Sequence, residues 1–117
     1  MRFDLGAARR VFESYAGSPL GARAYVAGRL VVAPLGELGR EAATLRGRVL
    51  SLGSGVGVVE RYLAEVNPSL QIQGVDLDQE KVDLVAATSA RCPRVSLRRA
   101  DATALDDGPE SYDAVLA

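Results

Sequence analysis

The sequence has no histidine, no tryptophan and a single cysteine, Cys92. Without imidazole, Ser-His-Asp and Cys-His chemistry is closed, and so is the commonest metal ligand. One cysteine forms no internal disulfide and no cysteine-based metal site, so no metal is expected. Cys92 stands beside Pro93 in an expected loop with no acid–base partner in view, and reads as an inert thiol. Long apolar runs are missing too: the longest, Ala24 to Leu35, is interrupted by Arg29 and Pro34 and falls short of the roughly 20 residues that a membrane span requires. The opening residues, MRFDLGAARR, carry charge where a secretion signal needs an apolar centre, which makes the cytoplasm the expected location. Nor is there an excess of positive charge: a formal net charge of −1 offers no basic face for phosphate, and nucleic acid is not an expected partner.

What is present suits one folded domain. The chain has 117 residues, of which 48% are hydrophobic and 25% charged, enough to bury a core. Charge is unevenly spread, with seven arginines against four acids in residues 1–47 and seven bases against eleven acids in residues 48–117. The imbalance hints at an anionic substrate or surface near the N-terminal part, although solvated, Arg-rich helix faces explain it without a partner.

The first 46 residues read as helices. Leu5, Ala8, Val11, Phe12 and Tyr15 recur at helical spacing, Gly17-Ser18-Pro19 breaks the pattern, Leu20 to Ala33 forms a second helix, and Leu35 to Leu45 a third. We expect a helical cap over 1–46 and a second unit over 47–117. From Arg48 the periodicity changes to strand (RVLSL), helix (VVERYLAEV), strand (LQIQGVD), helix (QEKVDLVAATSA), strand (RVSLRRAD) and the opening of a fourth strand (YDAVLA). That alternation predicts right-handed βαβ units on a parallel sheet. Val95 and Leu97 alternate with Ser96 and Arg98, as in a half-exposed edge strand.

Between the first strand and its helix lie Gly53, Gly55 and Gly57. A strand running into such a turn aims backbone N–H groups and a helix N-terminus at the C-terminal edge of the sheet, where α/β proteins bind ligands. Asp76 ends the second strand 19 residues after Gly57, where a carboxylate can accept both hydroxyls of a ribose. Asp101 ends the third strand along the same edge. Two acids beside one glycine loop form a row that matches an extended ligand with a sugar and a base. Asp78, just before the next helix, reads instead as its N-cap.

In these residues the sequence resembles the class I S-adenosylmethionine-dependent methyltransferases. VLSLGSGVG is similar to their first motif, IQGVDLD to their second-strand motif, RRADATAL to the following segment and SYDAVLA to the start of their fourth strand. The resemblance covers about residues 46–117. It implies an α/β fold, a Rossmann-like doubly wound parallel sheet of the methyltransferase type with strands ordered 3-2-1-4, and methyl transfer from S-adenosylmethionine to a small-molecule acceptor. It further implies that the Gly53-Ser54-Gly55 turn, with Gly57, packs against the methionine part of the cofactor. Asp76, with Leu77 beside it, would hold the ribose, Asp101 would face the adenine amino group, and the Ala102 N–H the ring. The acceptor and the catalytic residues are not named by it.

Two departures stand out. The acid that the family usually places before the glycines, opposite the cofactor's ammonium, is Ser51 here, so this cofactor-binding position is expected to supply a hydrogen bond without charge. Family members also continue for about three more strands. The chain is therefore expected to be the cofactor-binding half of an enzyme, with an incomplete sheet, an open fourth strand prone to self-association, and little turnover alone. A nicotinamide oxidoreductase would share the turn and the acid, but its GxGxxG/A fingerprint meets Val58 at the sixth position and leaves Asp101 unexplained. A non-catalytic cofactor-binding module is the other alternative.

Overall fold

The computed structural model describes residues 3–105 and 111–116. Three helices come first, α1 (Leu5–Ser14), α2 (Leu20–Val32) and α3 (Leu35–Ala42), followed by β1 (Gly47–Leu52), α4 (Val58–Val66), β2 (Leu70–Asp76), α5 (Gln79–Ala87), β3 (Val95–Arg99) and β4 (Ala114–Leu116). A short 3-10 turn, Ser89–Arg91, follows α5, where the expected helix was longer. All strand pairs are parallel and the order is β3-β2-β1-β4. The expected fold class and strand order are what the structure shows. Ala117, expected in the fourth strand, lies outside the described residues.

Local chemistry explains the boundaries. Asp4 caps α1 by accepting the Ala7 N–H at 2.9 Å, and Asp78 caps α5 through the Glu80 N–H at 3.0 Å, as its position before QEK predicts. Pro34 and the Asn67-Pro68 pair stop α2 and α4. In β2, buried Leu70 and Ile72 alternate with exposed Gln71 and half-buried Gln73, one face toward the core.

Right-handed crossovers that step in one direction along the sheet, β1 to β2 to β3, put α4 and α5 on one face. The N-terminal helices lie against α4 and share its hydrophobic cluster: Ala7, Val11, Val26 and Leu35 belong to the same cluster as Val49, Tyr62, Leu63 and Ile72. Polar ties reinforce the seam. Tyr62 Oη accepts the Asp4 N–H at 2.8 Å, Arg10 pairs with Glu65 at 2.8 Å, and Asn67 Nδ2 donates to the carbonyls of Ala42 and Leu45. Helix α4 is thus covered on two sides, and Val58, Glu60, Arg61, Tyr62, Leu63 and Ala64 are all buried. No described helix is long and apolar enough to cross a membrane.

Candidate functional site

Strand β1 has β2 on one side and β4 on the other, so the chain order reverses at β1. At such a reversal the crossover loops diverge and leave a crevice at the carboxyl ends of the strands. The glycine turn stands there. Gly53 and Gly55 have φ of 65° and 61°, a left-handed conformation that side chains resist, and a Cβ at either would meet no atom within 4 Å. Backbone shape, not crowding, is what calls for glycine at both.

The turn is folded back over the end of β2. Gly53 and Ser54 both donate their N–H to Val75 O, at 2.9 and 3.3 Å, and Gly57 N–H reaches Ser54 O at 3.1 Å. Gly55 N–H donates to Asp76 Oδ2 at 3.0 Å, while Asp78 N–H donates to Oδ1 at 2.9 Å. The structure therefore brings the glycine turn and Asp76 into direct contact. These amides, that of Asp78 foremost, hold the Asp76 carboxyl below its usual range against a smaller desolvation effect. The Leu77 N–H acts on the carboxyl as well. A carboxylate has about four lone-pair positions, so accepting capacity remains for a donor arriving from outside the protein.

Crowding appears at Gly74 instead. A side chain there would run into Ser54 Oγ and Leu97, because Ser54 turns its hydroxyl down onto β2. That hydroxyl is buried with no hydrogen-bond partner among the described residues. Whatever Ser54 offers outward is backbone. From the cap, Tyr15 Oη donates to Val56 O at 2.5 Å and anchors the far side of the turn.

Asp101 and Ala102 lie past the end of β3, in an exposed turn one strand further along the same edge. Asp101 Oδ1 accepts both the N–H and the hydroxyl of Thr103, at 2.8 and 2.6 Å, and these bonds lower its carboxyl. The two acids are linked through backbone, Ala100 N–H donating to Asp76 O at 3.1 Å. Leu77 follows Asp76 and is 64% exposed, an apolar surface at the mouth of the edge.

Ser51 lies near the end of β1, just before the glycine turn. It is buried, and its hydroxyl donates to Glu60 Oε2 at 2.6 Å. Glu60, in the first turn of α4, is 6% exposed, and burial raises its carboxyl. Sequence reasoning missed this acid because a helix packed on one face would leave Glu60 in water. Its one signal was position: an acid in the first turn after the glycines. Ser51, Gly53 and Glu60 line a cavity of about 470 Å3 together with Arg29 and Glu41. A larger groove of about 840 Å3 lies among α1, α2 and α3, lined by apolar side chains such as Phe3, Leu5, Phe12 and Val31, and contains none of the motif residues.

The sequence profile of the methyltransferase domain family matches residues 49–117. Among solved structures, the chain is similar to the YcgJ protein of Bacillus subtilis, at 26% identity over 69% of this chain and 35% of that one, with a TM-score of 0.58. It is similar to SpnF, described as a [4+2]-cyclase, at 28% identity over 68% of this chain and 30% of that one, TM-score 0.58. A third, PKMT2 of Rickettsia typhi, solved in complex with AdoHcy, is 30% identical over 58% of this chain and 14% of that one, TM-score 0.51. The chain spans about a third or less of the length of these proteins. No curated protein matches it.

Proposed function

We propose that this chain, which belongs to the methyltransferase domain family, binds S-adenosylmethionine along the C-terminal edge of its sheet for methyl transfer to a small-molecule acceptor. One observation carries the reading. The Asp76 carboxylate is held by the amides of Gly55 and Asp78 at the chain reversal, with lone pairs left over and its charge favoured. A fixed anion at the end of the second strand is suited to a pair of vicinal hydroxyls. Leu77 offers an apolar face beside it, Asp101 a second acceptor one strand further, and the Ala102 N–H a donor next to that. The Gly53-Ser54-Gly55 turn, with Gly57, receives the methionine end. That PKMT2 was solved with AdoHcy agrees with this assignment.

When bound, the sulfonium of the cofactor supplies an already activated methyl group. The work left to the protein is alignment of an acceptor with the methyl–sulfur bond. A chain without histidine can do that. Asp76 fixes the ribose, the glycine turn fixes the adjoining segment, and Tyr15 keeps that turn in place through Val56 O.

The [4+2]-cyclase among the similar structures supports a second reading, in which the same scaffold binds the cofactor and serves chemistry other than methyl transfer. Calorimetric titration with S-adenosylhomocysteine tests the cofactor assignment common to both. Asp76→Ala removes two charge-assisted hydrogen bonds and should weaken binding by ~2–4 kcal/mol. An affinity within about threefold of the parent refutes the ribose assignment. A methyl-transfer assay then separates the two readings.

A further inference from the structure

Glu60 is a buried acid beside a cavity. None of the ion pairs among the described residues includes it. Its bonds are to Ser51 Oγ at 2.6 Å and to its own backbone N–H. Burial favours the neutral carboxyl, whereas Arg29 of α2, which lines the same cavity, favours the ionised one. A buried carboxyl with a hydroxyl partner, an open space beside it and no direct ion pair among the described residues has room for a cation entering from the cavity.

The bond from Ser51 says where that cation would sit. Ser51 is the residue where the acid of the first motif is absent, and Glu60 brings a carboxylate to its hydroxyl from the facing helix. We propose that Glu60 is the counter-charge for the α-ammonium group of the cofactor's amino-acid end, with Ser51 as the residue that positions it. Arg29 lines the same cavity as Glu60, and with Glu60, Gly53, Ser54 and Val58 a smaller one, and takes the α-carboxylate. The first turn of α4 has no side-chain cap from its N-cap residue Gly57, so the N–H groups of Val58 and Val59 add to the attraction for that carboxylate. Opposite charges lining one cavity match a zwitterion, and an amino-acid end is one.

This inference rests on the cofactor reading above, and the test keeps the two apart. The probes are S-adenosylhomocysteine and its deaminated analogue, in which hydrogen replaces the amino group, each titrated calorimetrically against the parent, Glu60→Gln and Ser51→Ala. Glu60→Gln keeps the shape and the bond to Ser51 while removing the charge. We expect it to weaken S-adenosylhomocysteine by about 10- to 100-fold and to leave the deaminated analogue within about threefold of the parent. Ser51→Ala keeps the charge and loses the positioning bond, and the expected loss for S-adenosylhomocysteine is about three- to tenfold. If the parent binds both probes and Glu60→Gln leaves S-adenosylhomocysteine within about threefold, the role of Glu60 is refuted and the cofactor reading stands. Equal weakening of both probes refutes it too, since a merely structural role would act that way. If the parent binds neither probe, the cofactor reading itself fails.

Discussion

Arg61 is fully buried, with no carboxylate partner among the described residues, and replacing it tests how α1 is joined to α4 and α5. Its guanidinium donates to Ser14 Oγ at 2.9 Å and to Thr88 Oγ1 at 2.7 Å, approaches Val85 O at 3.4 Å, and lies 4.2 Å from the centre of the Tyr15 ring. Ser14 ends α1 and Thr88 caps the C-terminus of α5, so the cation sits where the negative ends of two helix dipoles converge. These dipoles and the ring face stand in for an acid. Two short bonds to a charged donor contribute about 1.5–3 kcal/mol each, and the cation–π contact about 1–2 kcal/mol. Against that gain of roughly 4–8 kcal/mol stands the loss of guanidinium hydration, several kcal/mol. Arg61→Ala also opens a cavity, so its net loss of stability should be about 3 kcal/mol. Arg61→Met refills most of the volume and relieves the desolvation, for a loss of about 1 kcal/mol. A chain of this length has on the order of 6–18 kcal/mol to lose, so both effects are measurable by urea unfolding followed by circular dichroism. If Arg61→Met is as stable as the parent or more so, desolvation outweighs the network and the argument is wrong.

Two further predictions concern the turn and the buried acid. Burial raises Glu60, so its proton stays on the native state to higher pH than on the unfolded chain; the stability it contributes is full below the unfolded carboxyl's ordinary value and is lost as pH rises through the folded one. Ser51→Asp sets a second carboxyl against Glu60, so urea midpoints between about pH 4 and pH 8 should fall more steeply than in the parent, and parallel profiles would contradict the contact. Gly74→Ala should destabilise the fold by about 1–3 kcal/mol by driving Ser54 out of its seat. Ser54→Gly in the same chain should recover part of that loss, and additive effects of the two changes would show that they do not touch.

The elements that carry the site were legible because their signals are local. Helix α4 runs from Val58 to Val66, as the gap between Gly57 and Asn67-Pro68 implies, and β2 ends on Asp76, as its alternating pattern implies. Asp78 could be told from Asp76 because a cap needs only its own next residues. What the sequence concealed depends on partners distant along the chain. Glu60 and Arg61 occupy helix positions that a one-sided pattern assigns to water, yet Glu60 is buried against Ser51 of β1 and Arg61 between Ser14 of α1 and Val85 and Thr88 at the end of α5. Three helices of apolar periodicity announce that something is covered, without announcing which helix. The same limit hid the meaning of Ser51. Read in line, it is a motif missing its acid; read across the fold, it is a hydroxyl holding an acid that arrives from the next element. Moving a charge from the end of a strand to the first turn of the following helix leaves it at the same edge, because both meet at the glycine turn. A motif departure of this kind is therefore weighed against every acid that the turn can reach, and here the turn reaches Glu60.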